Sequence, residues 1–276
     1  MLKKIGVMAV PILQVALILF PLFFFVVGRI DYVRLLAPAI NAQNPDFSNL
    51  WFHIIFDIGN WAISLALCLP ILMFIRRANK KKILNRADAY YEYPYWWFWV
   101  CSKILGYGIC SLKRVPIYMQ FKLVMRATFS EYHVGDYPEC HEDSGNHISV
   151  NYYKAKNRSN ESINIVLADT YPIDIGQLPR NVGNNYTIVI ARKNIGRERT
   201  YCKKFISIIS SEVRKLSKVG RVNCFATLNP CHSQIIAEDI FKQGGRGDIK
   251  SLYLYQQESS GKRNFKRRGV KIYSYK

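Results

Sequence analysis

The chain has 276 residues, half of them hydrophobic, and 39 Lys and Arg against 19 Asp and Glu give it a formal charge of +20. An excess that large asks for an anionic partner, whether phospholipid, nucleic acid or a phosphate-bearing small ligand, although a solvated face lying along an anionic leaflet would use the same residues. Seven cysteines scattered without a CxxC pair, in a domain assigned below to the cytoplasm, argue for reduced thiols, and no disulfide framework is expected.

Ile5 to Gly28 carries no charged side chain, and a helix of about 24 residues crosses a hydrocarbon core of roughly 30 Å. The run is too long for a signal-peptide core, no small-x-small cleavage site follows it, and Phe23, Phe24 and Phe25 fill its end. A second run, Ile54 to Ile75, is interrupted only by Asp57 and is also expected to span. Lys3 and Lys4 precede the first run; Arg76, Arg77, Lys80, Lys81, Lys82 and Arg86 follow the second, whereas the connecting loop has only Arg29 and Arg34. The positive-inside rule then places both termini of this multi-pass hairpin in the cytoplasm, with the connecting loop facing outward. On the second run Gly59, Ala62, Ser64 and Ala66 offer small surfaces for packing between copies, and Asp57 is an ionisable group near one mouth or an interfacial aspartate.

Residues 1–86 therefore read as a two-helix hairpin with a basic collar, 87–161 as an aromatic interfacial segment and linker, and 162–276 as a cytoplasmic α/β domain. Tyr90 to Leu112 is crowded with Trp and Tyr, which favour the headgroup level, and Pro94, Gly106 and Gly108 weaken a continuous helix. An interfacial or re-entrant segment is expected there in preference to a third span. Tyr118 to Phe129 fits a helix or a strand, and Gly135 to Asn160 reads as a polar loop. That loop, with His133 before it, holds Cys140, His141 and His147, but no structural-zinc spacing fits, and no metal is expected.

From Ser162 onward apolar strands alternate with helical patterns: SINIVLAD, YTIVIAR, VNCFATL, SLYLYQQ and VKIYSY, with helices over Thr200 to Leu216 and His232 to Gln243, the latter stopped by Gly244 and Gly245. Strands separated by helices imply parallel pairing in a Rossmann-like sheet. Ligands bind such sheets beyond the carboxyl ends of strands, which selects Asp169, Thr170, Arg192, Lys193, Thr227, Asn229 and Ser233, with Arg246 near the same edge. The same residue types also serve as ordinary caps and turns. A basic tail patch, Lys262, Arg263, Lys266, Arg267 and Arg268, adds affinity for phosphate. No catalytic motif occurs, Glu238 and Asp239 face different ways on a helix, and neither an enzyme nor a cofactor is expected.

The stretch NCFATLNPCHSQIIAEDIFKQG, followed by SLYLYQQ, resembles the SAVED domains of bacterial anti-phage defence and their CARF relatives, over roughly Ser162 to Tyr275. Joined to a membrane hairpin, it is similar to two-transmembrane effectors of the cyclic-oligonucleotide (CBASS) systems and to retron-associated membrane effectors. The resemblance implies a homo-oligomeric effector of abortive infection that senses a cyclic oligonucleotide or a nucleic-acid complex made by a nucleotide cyclase or reverse transcriptase partner, and then disrupts the inner membrane. It departs from the pattern in offering one Rossmann-like unit where SAVED domains have two halves. A membrane-anchored adaptor that binds protein or nucleic acid without toxicity is the competing reading.

Overall fold

A computed structural model gives the architecture and describes residues 2–27, 32, 35, 50–86, 90, 92–139, 148–154, 162–193, 199–216, 219–244, 249–258 and 261–274. The chain divides into two compact units: 1–89 with 96–109, and 90–95 with 110–276.

In the first unit, α1 (Leu2–Val26) and α2 (Leu50–Asn79) pack as a hairpin. Ala9–Val26 and Ile58–Asn79 are long and apolar enough to cross a membrane. Their polarity is inverted relative to a soluble core: Leu13, Leu17, Phe20, Leu69, Met73 and Phe74 face outward, while Asn60, Ser64 and Asn79 are buried. Outside water, each buried polar group needs an internal partner. Ser64 donates to the Asn60 carbonyl, and Gln14 and Asn79 exchange reciprocal side-chain amide bonds of 3.0 and 2.9 Å between the two helices. The seam therefore runs through Asn60, Ser64 and Asn79. Ala62 and Ala66 lie exposed on the opposite face of α2, with Gly59 half-buried beside them. Asp57 lies within α2, its side chain outside the described residues.

A two-residue strand, β1 (Ile83–Leu84), follows, and then α3 (Tyr95–Trp99), which runs on as a π-helical turn, Val100–Ile104. Ten helical residues reach only about 15 Å, too short to span. The end of this segment is held by α2: Arg76 donates to the carbonyls of Lys103 and Ile104, and Asn79 to that of Leu105 at 2.9 Å. Trp96 and Trp99 remain exposed.

The second unit begins as the chain leaves β2 (Ile109–Ser111) and continues through α4 (Ile117–Met125), β3 (Glu131–His133) and β4 (Ile148–Tyr153). After these come β5 (Ser162–Ala168), β6 (Tyr186–Arg192), α5 (Lys203–Arg214) and β7 (Val219–Thr227). Next is α6 (Pro230–Ile235), prolonged by a π-helical stretch Ile236–Gly244, then β8 (Ile249–Tyr255) and β9 (Val270–Ser274). The six-stranded sheet has the order β4-β6-β5-β7-β8-β9. Its four central strands are parallel, as expected, but both edges are antiparallel.

Two expectations are corrected here. Residues 148–153, expected in a polar loop, form the edge strand β4, because pairing with β6 supplies the backbone partners that a polar stretch such as SVNYY does not advertise. β9 is antiparallel because the connection from β8, residues 256–269, doubles back on itself, with the antiparallel Gln257–Phe265 bridge and the Lys266 N–H given to the Gln256 carbonyl, so that no helical crossover intervenes.

One sheet face is covered by helices: Tyr152 donates to Glu212 of α5, and the amphipathic helices bury Phe205, Ile209, Ile240 and Phe241. The other face has no α-helix among the described residues, only a 3-10 turn, Ile175–Gln177, in the loop after β5. Val166, Val189, Phe225 and Tyr255 are roofed by Leu178, Val182 and Phe265 from the loops after β5 and β8. The connections after β5 and β7 thus leave on opposite faces, which opens a crevice between those two strand ends.

Gly106 has φ +78°, and a Cβ there would come within 2.9 Å of the Arg76 Cα. Gly106→Ala should destabilise the first unit by about 1–3 kcal/mol, read as a lower melting temperature of the full chain in detergent, with Gly261→Ala, which meets nothing within 4 Å, as the milder control.

Candidate ligand cleft

A cleft of about 870 Å³ opens at the carboxyl ends of β5, β7 and β8. Thr170, Thr227, Gln256 and Gln257 supply its neutral polar lining, and Ala226, Leu228 and Ile117 its apolar part. Three cations, Arg199, Arg263 and Lys266, face two carboxylates, Glu92 and Glu258, and two phenols, Tyr90 and Tyr171, complete the wall. The size suits a nucleotide-scale ligand.

The threonines are already engaged. Thr170 donates its backbone N–H at 2.8 Å and its hydroxyl at 2.7 Å to the Thr227 carbonyl, and the Thr227 hydroxyl donates at 2.7 Å to the Tyr171 carbonyl. This lattice stitches the β5 and β7 ends together under the crevice. Arg263 lies over the Tyr171 ring, 4.9 Å from its centroid, in a left-handed conformation (φ 54°) that the tight β8–β9 turn imposes. That turn is anchored from outside: Gln177 donates to the Lys262 carbonyl at 2.9 Å, and Phe265 donates its N–H to the Gln177 carbonyl at 3.0 Å. Partial burial, with Glu92 and Tyr118 nearby, pushes the Tyr90 phenol up to about 12, so it remains a neutral donor at physiological pH.

Behind the cleft lies a buried polar cluster. The Asp169 carboxylate pairs with Arg192 Nη2 at 2.8 Å, takes a 2.7 Å contact from His232 Nδ1 and accepts the Asn229 N–H at 3.1 Å. His232 Nε2 accepts the Cys202 N–H at 2.9 Å, which fixes the neutral tautomer with its proton on Nδ1, aimed at Asp169. With Nε2 occupied by a backbone donor, this Asp–His pair has no free nitrogen to offer a ligand. Arg192 also donates to the Thr200 hydroxyl at 2.9 Å. Asn229 accepts the His232 N–H at 2.8 Å and so caps α6, with Pro230 at its first position.

The residues expected at the strand ends thus separate into two layers. Thr170 and Thr227 line the cleft; Asp169, Arg192, Asn229 and Ser233 are buried beneath the strand ends. The Ser233 hydroxyl and Arg192 Nε have no hydrogen-bond partner among the described residues. Lys193 is exposed, and Arg246, like Cys140, His141 and His147, lies outside the described residues. Of the basic tail patch, Arg263 and Lys266 face the cleft and Arg267 borders a second hollow beside Arg180, while Lys262 and Arg268 are simply exposed. No metal-binding cluster occurs among the described residues.

Sequence reasoning missed Tyr90, Glu92, Tyr171, Arg199, Gln256, Gln257 and Glu258. Gln256 and Gln257 follow β8 and obey the same strand-end rule that selected Thr170. Tyr90 and Glu92 come from a segment dominated by its membrane-like composition, which masked their place beside the sheet.

Arg192→Ala leaves the buried Asp169 charge unpaired and should cost about 3–5 kcal/mol of stability, seen as a large fall in melting temperature; Lys193→Ala, exposed and next in sequence, should leave it within about 0.5 kcal/mol.

Among solved structures, the chain is similar to an Acinetobacter baumannii Cap4 SAVED/CARF-domain containing receptor. The form with the cyclic trinucleotide 2'3'3'-cAAA matches at 10% identity and a TM-score of 0.40, over 59% of this chain and 38% of that one. The form with 3'3'3'-cAAA matches at 8% and 0.39 over the same shares, and a third structure of the receptor at 10% and 0.32 over 63% and 38%. The chain therefore spans well under half of that receptor's length. No curated protein matches the sequence. The family model of the SMODS- and Ubiquitin system-associated 2TM effector domain matches residues 3–273, and the chain belongs to that family of defence-system effectors.

Proposed function

We propose that this two-transmembrane effector serves in anti-phage defence by binding a nucleotide signal in the strand-end cleft and responding by disrupting the membrane that holds its hairpin. The observation that carries the reading is the cleft, where Arg199, Arg263 and Lys266 stand beside the Tyr171 and Tyr90 rings and the Gln256 amide. Cations for phosphate, aromatic faces for stacking and amides for base edges form the combination that a cyclic oligonucleotide or a nucleic-acid complex needs. A nucleotide cyclase or a reverse transcriptase would supply such a ligand.

Two helices cannot enclose a water-filled path, so permeation requires a homo-oligomer. The exposed Ala62 and Ala66, with the half-buried Gly59 beside them, form the small-residue surface through which hairpins of neighbouring copies would pack. Ligand binding clusters the sheet-bearing units, the hairpins associate, and the inner membrane depolarises. Both termini are cytoplasmic in this scheme.

Three measurements test it. Titrating the full chain in nanodiscs with cyclic di- and trinucleotides should give binding that Arg263→Ala weakens by about 1.5–3 kcal/mol, roughly 10- to 150-fold. Absence of binding to any nucleotide would leave the adaptor reading. A potential-sensitive dye should report depolarisation when the full chain meets its trigger in cells, and Ala62→Leu should abolish it while insertion and ligand binding persist. Reporter fusions at Lys276 should show cytoplasmic activity alone; periplasmic activity would overturn the orientation.

A further inference from the structure

Hydrogen-bond donors and acceptors are unevenly distributed around the cleft. A hydroxyl has one proton and two lone pairs. The Thr170 proton is committed to the Thr227 carbonyl and the Thr227 proton to the Tyr171 carbonyl. Both side chains still line the cleft, and toward it they retain only acceptor capacity. Glu258, an exposed lining residue that follows β8, is likewise an acceptor when ionised. The Thr227 carbonyl, which already receives two bonds from Thr170, has nothing further to give. Every cation of the cleft, by contrast, comes from the loops that follow the strands: Arg199 from the segment before α5, and Arg263 and Lys266 from the β8–β9 turn.

Building on the nucleotide reading, we propose that the cleft is polarised and admits its ligand in one orientation, nucleoside inward and phosphate at the rim, because the Thr170 and Thr227 hydroxyls, their protons already given away, accept hydrogen bonds from ligand N–H or O–H groups. A phosphate placed against the two threonines would set its oxygens against four hydroxyl lone pairs, with no proton on either hydroxyl left to bridge them. A ribose hydroxyl or the amino or imino group of a base meets them favourably. The threonines that the strand-end rule selects thus act as readers of the nucleoside, and phosphate without a nucleoside attached lacks the inner half of the recognition. A site whose buried acceptors expect a donor also discriminates strongly against an analogue from which that donor is missing.

The test uses the full chain in nanodiscs, titrated calorimetrically with four probes: cyclic di- and triribonucleotides of adenosine and guanosine, their 2'-deoxy counterparts, base-methylated counterparts that lack the amino or imino proton, and inorganic pyrophosphate. The wild type should prefer the parent ribonucleotide at least tenfold over either the 2'-deoxy or the base-methylated form, and the one that loses affinity identifies the donor. Pyrophosphate should bind at least a hundredfold more weakly than the parent. Thr227→Val should bind the parent and the penalised analogue equally, while Thr227→Ser, which keeps the hydroxyl, should restore the preference. Nucleotides that bind with no preference at either position, or a preference that survives in Thr227→Val, would overturn the polarised orientation and leave the nucleotide reading standing. Pyrophosphate binding as tightly as any nucleotide would also overturn the orientation. If no nucleotide binds, both readings fall together.

Discussion

The carboxylate of Asp169 is the constraint on which the sheet-bearing unit depends. A charge with no solvent exposure is tolerated only when it is paired and hydrogen-bonded, and here three groups address it: a guanidinium at the end of β6 that ion-pairs with Oδ1, and, on Oδ2, an imidazole nitrogen from α6 and a backbone N–H from the turn after β7. Each partner belongs to a different element, so the positions of three strand ends and one helix start are set together. The His232 ring passes the constraint on through Cys202 to the start of α5, and Arg192 ties it to Thr200. The crevice above inherits its shape from this cluster, since Thr170 is the next residue after Asp169 and Asn229 lies two beyond Thr227.

The central strands were legible in the sequence because parallel strands buried on both faces read as continuous apolar runs, and SINIVLAD, YTIVIAR and VNCFATL are such runs. The edges were not. β4 owes its conformation to pairing with β6 across more than 30 positions, and β9 takes its direction from a connection that folds back on itself through backbone hydrogen bonds, which its composition does not announce. The strand-end rule found the correct rim of the sheet but did not separate residues that face a ligand from those that hold the rim. Asp169, Arg192 and Thr227 all lie at strand ends, but Thr227 is in register with Ala168 and Ala191, one position before the other two, and the side-chain partners show that Asp169 and Arg192 are consumed by each other.

The hairpin was legible for a simpler reason, that apolar length is a one-dimensional property. Its internal seam was not. Asn60, Ser64 and Asn79 are scattered polar residues in an apolar run, and a sequence does not say whether they turn toward lipid, toward another copy or toward the neighbouring helix. Burial shows that they turn inward, which leaves the small residues Ala62 and Ala66 outward.

The Gln14–Asn79 amide pair also fixes what kind of movement the hairpin can make. Two antiparallel helices held only by dispersion forces can slip along each other or roll at little expense, as one apolar contact replaces another. A doubly bonded amide pair has no substitute partner a turn away: sliding by one residue strands a donor and an acceptor on each side, and Asn79 would at the same moment lose the Leu105 carbonyl that it also holds. The register is locked at one end, and α1, α2 and the segment after α3 travel as one stiff piece. Any opening of a path through the bilayer must then arise where separate molecules meet, as whole hairpins tilt or swivel, and not from the two helices of a single chain drawing apart.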